Sequence, residues 1–104
     1  MVPHPSRVWA LEPGLHLMEG ISIEIQPNGL RKPAHEGPAE APLILTLGDS
    51  SVFGHGVATG ETLHDQLQTR LEAAHLPARV ACGGIPGYST YQTLRLLEEV
   101  GWDL

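Results

Sequence analysis

The pattern of hydrophobic and polar positions changes character at Leu43. From there, Leu43-Ile44-Leu45-Thr46-Leu47 is a short continuous apolar run, which predicts a strand buried on both faces. Residues 48–60 are glycine-rich. Residues 61–75 carry Leu63, Leu67, Leu71 and Ala74 on one helical stripe, with Arg70 and Glu72 pointing elsewhere. Thr62 is placed to cap this helix and Pro77 to end it. Arg79-Val80-Ala81-Cys82 predicts a second strand and Gly83–Gly87 a second glycine turn. A helix capped by Ser89 or Thr90 then carries the stripe Leu94, Leu97 and Val100, and Gly101 closes it. Upstream, Leu15–Met18 and Ile21–Ile25 flank Glu19-Gly20. Ile21, Ile23 and Ile25 alternate with Ser22 and Glu24, as in a half-buried hairpin strand. Pro27-Asn28-Gly29 reads as a turn, and residues 32–42 as an exposed loop. Seven of the nine prolines fall in residues 1–42. Residues 1–42 therefore read as a Pro-rich accessory lead-in with a β-hairpin, and residues 43–104 as the domain proper.

Beyond Leu43 the order is strand, helix, strand, helix, with about 30 residues from strand to strand, the size of a βαβ unit. Its two strands should be parallel and joined by a right-handed crossover. Parallel strands need cover on both faces, which two strands and two helices do not supply. The fold class is thus α/β, and the pattern is that of the first half of a doubly wound domain.

Length and charge narrow the function classes. A chain of 104 residues is one small domain at most. Its 12 carboxylates outnumber 6 Lys and Arg, giving −6 overall, and Arg7, Arg31, Lys32, Arg70, Arg79 and Arg95 are scattered. That excludes a phosphate-tracking nucleic-acid surface. No apolar run is long enough to span a membrane. The first residues lack the apolar core of a signal peptide, which leaves the cytoplasm as the default compartment. The single Cys82 excludes an internal disulfide and a cysteine-based zinc site, and His4, His16 and His35 show no metal spacing.

The candidate chemistry sits at the strand ends, where open parallel sheets bind ligands. The first strand ends in Gly48-Asp49-Ser50-Ser51-Val52-Phe53-Gly54-His55-Gly56 and the second in Gly83-Gly84-Ile85-Pro86-Gly87-Tyr88. Pairing brings a serine hydroxyl and a glycine amide to one crevice. Serine suits acyl transfer, and an amide aimed at a developing oxyanion lowers the barrier by roughly 3–4 kcal/mol. Phosphate-binding readings fit worse. The first loop has no Lys for a P-loop. Gly54, Gly56 and Gly60 miss the dinucleotide spacing by one residue, and the second strand ends in Cys82-Gly83 rather than an acid. Val52 rules out the G-x-S-x-G elbow.

Leu45 to Gly54 resembles block I of the GDSL-like, or SGNH, hydrolases, and Val80 to Thr90 resembles their block II. Residues 7–32, with Trp9, Pro13-Gly14 and Asn28-Gly29-Leu30-Arg31, look like the lead-in of one bacterial subgroup. The resemblance implies a three-layer α/β/α, flavodoxin-like domain, of which residues 43–104 are the N-terminal half. It implies a serine ester hydrolase acting on small acyl esters, O-acetylated carbohydrates among them, without cofactor or metal. Ser50 takes the nucleophile's position and offers an oxyanion amide; Gly87 takes the position of the second amide. Asp49, Ser51, His55 and Tyr88 are the neighbours expected to line the substrate site. Cys82 stands where block II usually has Asn.

Two family elements are missing. Asn28, in a turn before the nucleophile, is the only Asn, so the block III oxyanion donor has no counterpart. No Asp-x-x-His occurs to supply the general base. The pairs Glu61/His64 and Glu72/His75 are expected to face solvent. Tyr88 is expected to pack over the glycine turn, Cys82 to pack as a small buried residue, and Trp102 to cover a helix end. The chain therefore reads as an N-terminal piece that a C-terminal half or another chain would complete. Alone it is expected to hydrolyse esters little or not at all. The rival readings are a non-catalytic remnant that binds another chain, and an O-acyltransferase on the same fold.

Overall fold

A computed structural model describes residues 1–104 as a mixed α/β domain with three two-stranded sheets and three helices. β1 (Val2–His4) and β2 (Val8–Ala10) pair antiparallel, as do β3 (Gly14–Met18) and β4 (Ile21–Ile25). β5 (Leu43–Gly48) and β6 (Arg79–Gly84) pair in parallel, with Leu43 opposite Arg79 and Gly48 opposite Gly84. The helices are α1 (Ser50–Phe53), α2 (Leu63–Ala73) and α3 (Thr90–Glu99), and a 3₁₀ turn follows at Gly101–Asp103.

The upstream hairpin follows its pattern. Ile23 and Ile25 are buried while Ser22 and Glu24 are exposed. Glu19 and Gly20 link Met18 to Ile21 with φ of +51° and +76°, the two left-handed residues of a type I′ turn. β1 and β2 have no such signature in the sequence. Each is three residues long, and Pro3 and Pro5 interrupt the alternation.

Three expectations from the apolar pattern are corrected. α2 has its predicted cap, with Thr62 Oγ1 accepting from Asp65 N. However, it buries His64, Asp65 and Gln68, and Leu63 is 57% exposed. α3 is closed by a capping box between Ser89 and Gln92, yet it buries Gln92 and Leu96 and leaves Leu94 53% exposed. β5 is only half-buried, and Ile44 is 38% exposed. In the two helices the predicted leucine stripe is turned away because specific polar bonds, joined in α3 by Leu96, dock the element.

Those bonds are few and long-range. The Gln68 amide donates to Ala78 O (3.0 Å) and accepts from Val80 N (2.8 Å), tying α2 to the start of β6. Gln92 Nε2 donates to Arg7 O (2.8 Å), tying α3 to the lead-in. Asp65 accepts from Ala34 N (2.9 Å) and Gly60 N (2.7 Å). Trp102 is exposed in the terminal 3₁₀ turn and covers no helix end, which corrects the expectation for it. The apolar core joins both parts of the chain: Leu11, Ile23, Ile25 and Leu30 from the lead-in pack with Phe53, Ile85, Tyr88 and Leu96. No helix is long and apolar enough to cross a membrane.

Replacing Gln68 by Leu strands a buried carbonyl and a buried amide. The expected loss is about 1–3 kcal/mol of stability by urea denaturation. Gln66→Leu, on the exposed side of the same helix, should change stability by less than about 0.5 kcal/mol.

Candidate active site

β5 and β6 run parallel and end in register, so the turns that follow them leave the sheet side by side. Ile85 N donates to Gly48 O (3.1 Å), which carries the ladder one step past the paired glycines. β6 also lies hard against α1: a Cβ on Gly84 would stand 2.4 Å from Phe53 N and 2.7 Å from Val52 C. Only glycine permits that approach. Gly83 and Gly84 thus belong to the strand, and the glycine turn proper begins later than the sequence suggests.

The first turn contains a single helical turn that the glycine content concealed. Asp49 is its N-cap, with its carboxylate accepting from Ser51 N (3.1 Å). Ser50 is the first helical residue and is half-buried. Its carbonyl accepts from both Gly54 N (2.9 Å) and His55 N (3.0 Å). Gly54 closes the turn in the left-handed conformation, φ +83° and ψ +44°. Its face is filled as well: a Cβ there would meet Thr62 Cγ2 at 2.8 Å and Arg31 Nη1 at 3.0 Å.

The second turn is a type II turn with Pro86 and Gly87 at its centre. Gly87 has φ of +79°, and Tyr88 N donates to Ile85 O (3.2 Å). The main-chain N–H groups of Ser50 and Gly87 have no protein acceptor. The indole of Trp9 lies on Gly87, 3.2 Å from where a Cβ would stand, and meets the Tyr88 ring edge-on at 5.9 Å.

The remaining candidates are placed as follows. Asp49 and Ser51 are exposed at the head of α1. His55 is exposed, and its Nε2 lies 3.6 Å from Glu19 Oε1 on the hairpin turn. Tyr88 is buried; its hydroxyl donates to Trp9 O (2.5 Å) and accepts from Arg7 Nη1 (3.3 Å). Burial pushes the phenol up, against the opposing effect of Arg7. Cys82 is buried, and burial raises its thiol to about 11.

No histidine hydrogen-bonds to Ser50. His4 accepts from Ser6 N and Arg7 N, His16 contacts Glu12 O, His35 pairs with Glu72, and His75 is exposed. His64, expected to face solvent beside Glu61, is instead 1% exposed. It lies 3.2 Å from Thr62 Oγ1 and 3.8 Å from Asp65 Oδ1. The other Glu-x-x-His pair is also not formed, because Glu72 reaches back to His35 in the lead-in at 2.5 Å. No group of three or more His, Cys, Asp or Glu side chains is placed to hold a metal ion.

The residues missed from sequence are the lead-in clamps. Arg31 donates from Nη1 to Phe53 O (3.0 Å) and Gly54 O (2.9 Å), and from Nη2 to Val57 O (2.8 Å) and Thr59 Oγ1 (3.3 Å). Its carbon sits 5.3 Å from the centre of the Phe53 ring. Arg7 reaches Tyr88 and Glu99 from the other side. Each contact spans more than twenty residues, so no local spacing announces it. Two clefts lie elsewhere on the molecule. One is lined by Leu43, Arg79 and Val80 at the opposite end of the sheet, and another by His35, Asp65 and Glu72.

Two groups beneath the first turn set its response to pH. Burial, chiefly, and the Arg31 charge push His64 below the ordinary imidazole value of 6.5, against the pull of Asp65. Burial alone would raise Asp65, but the amides of Ala34 and Gly60, the Thr62 hydroxyl and His64 outweigh it. Its carboxyl therefore sits below the ordinary 3.8. Both values are depressed in the folded chain, so both contributions are present above the unfolded values and are lost on acidification. Urea midpoints should begin to fall below about pH 6.5 and fall again below about pH 3.8. His64→Gln should remove the upper loss, and Asp65→Asn should reduce the lower one, to which the depressed Glu72 and Glu99 also contribute. Gly54→Ala should cost more than about 2 kcal/mol, combining left-handed strain with crowding. Gly56→Ala, at φ +77° with open space around it, isolates the strain at about 1 kcal/mol. Comparison with protein-family models, curated proteins and solved structures finds no match for this chain, so what bears on its chemistry is the placement of Ser50 and Gly87 at one end of the parallel pair.

Proposed function

We propose that this chain is the nucleophile and oxyanion half of a serine ester hydrolase of the SGNH type, with residues 43–104 as the first half of a flavodoxin-like three-layer domain. One observation carries the reading. The in-register ends of β5 and β6 send the Ser50 turn and the Gly87 turn out of the same end of one parallel pair, each with a free main-chain N–H. Ser50 Oγ attacks the ester carbonyl, and the amides of Ser50 and Gly87 receive the oxyanion. Its collapse breaks the bond to the alkoxy oxygen, the alcohol leaves with the hydroxyl proton, and an acyl-serine remains for water to cleave. The substrate class is a small acyl ester, and no cofactor takes part. The general base and the third oxyanion donor come from outside these residues, on a C-terminal half or another chain. None of the six histidines engages Ser50, and the sole Asn, Asn28, holds its own turn by accepting from Leu30 N (3.0 Å).

A second reading, a remnant that binds another chain, is favoured by the apolar side chains left in solvent on α3 and β5: Tyr91, Leu94 and Ile44.

A fluorophosphonate probe separates the two. The chain alone should label slowly. Addition of a polypeptide carrying an Asp-x-x-His segment should accelerate labelling by at least about a hundredfold, the usual worth of a positioned base. Ser50→Ala should abolish it. Labelling that survives Ser50→Ala, or no labelling in any mixture, overturns the hydrolase reading, and the latter leaves the binding role.

A further inference from the structure

Resting on the hydrolase reading, we infer that Arg31 is a positioning residue for Ser50, through which the lead-in sets the geometry of the nucleophile turn. The main chain at Arg31 is itself fixed. It forms an antiparallel bridge with Ile25, Gln26 N donates to Leu30 O (2.8 Å), and Lys32 N donates to Glu24 O (2.9 Å). From that anchor the side chain runs fully buried to the turn. No carboxylate lies within ion-pair distance of it. A buried cation without a counter-ion is costly unless its donors are satisfied. Here Nη1 and Nη2 are satisfied by the carbonyls of Phe53, Gly54 and Val57 and by the Thr59 hydroxyl, while Nε has no partner; Gly54 O serves Val57 N as well (2.9 Å).

The connection to Ser50 is one residue long. Gly54 O accepts from Arg31, and Gly54 N donates to Ser50 O. α1 is a single turn, and the Ser50 carbonyl is held by the adjacent amides of Gly54 and His55, so a shift of Gly54 bears on both bonds. Arg31 contacts the turn on the side filled by Thr62 and Phe53, and it does not touch the hydroxyl. Its planar fork, bridging successive carbonyls, is a task a lysine ammonium does not reproduce.

The test uses a thiol as a reporter at the nucleophile position. In Ser50→Cys, the native Cys82 stays silent, because it is buried and its thiol is raised to about 11. Iodoacetamide alkylation at residue 50, followed across pH, then reads the position of that side chain without any ester. Adding Arg31→Lys or Arg31→Ala should change the rate by about tenfold and displace the pH profile, and methylguanidinium should return the alanine variant to the parent rate. Arg79→Lys, at the opposite end of β6, should leave both unchanged. Rates within about twofold of the parent in folded Arg31 variants overturn the proposal. If neither variant folds, amide exchange in the unaltered chain decides. Protection of Gly54 and His55 equal to that of the β5–β6 ladder supports a held turn, and free exchange at those two amides overturns it. Dependence on Arg31 together with a chain that no fluorophosphonate ever labels sinks the ester chemistry and leaves the clamp. Labelling at Ser50 with no dependence on Arg31 does the reverse.

Discussion

The architecture turns on one buried guanidinium. Arg31 lies in the interior without a paired carboxylate, so its charge is met by three main-chain carbonyls, the Thr59 hydroxyl and the face of the Phe53 ring. The arrangement constrains both partners. The turn 53–59 has to curl so that its carbonyls converge, and the lead-in has to dock so that the side chain arrives. Lone arginines of this sort couple distant segments more strictly than apolar contact does, since a displaced guanidinium leaves donors and charge unsatisfied together. Asp65 reinforces the same junction by holding Ala34 and Gly60, one residue from each side of it.

The same logic recurs at the second turn. Tyr88 donates to Trp9 O, accepts from Arg7 and packs against the Trp9 ring, so the type II turn at Pro86-Gly87 is braced by the first ten residues of the chain. Gln92 adds a bond to Arg7 O, and Arg7 Nε donates to Glu99 Oε1 (3.0 Å). Both glycine turns are therefore built from residues 43–104 and held by residues 1–42. In a chain this short, a shared core is what gives either part enough buried surface to persist.

Much of this was legible in the sequence, and what was not has a common cause. The Ile21–Ile25 alternation, the Thr62 and Ser89 caps and the apolar run at Leu43 each reflect local chemistry, and each gave its element to within a residue or two. The parallel pair followed from the strand–helix–strand spacing. The faces of α2 and α3 were misread because the period of leucines reports where apolar area could be buried. The actual docking is decided by Gln68, Gln92 and Asp65, through partners that lie ten or more residues away in sequence. At the site, Ser50 and Gly87 were marked by their turns. Arg31 stood in a recognisable stretch beside Gly29 and Leu30, yet nothing in that stretch says which carbonyls it meets.

The Gln68 carboxamide has a consequence for the sheet as a whole. It donates to Ala78 O and accepts from Val80 N, while Arg79 N turns inward to Pro42 O (2.8 Å). A side-chain amide thus does what one peptide group of a neighbouring strand would do opposite Arg79, and the first rung on the outer margin of β6 is already occupied. Edge strands invite pairing unless something blunts them. The molecule blunts one margin of its parallel pair from within, so growth of the sheet is steered to the far side of β5.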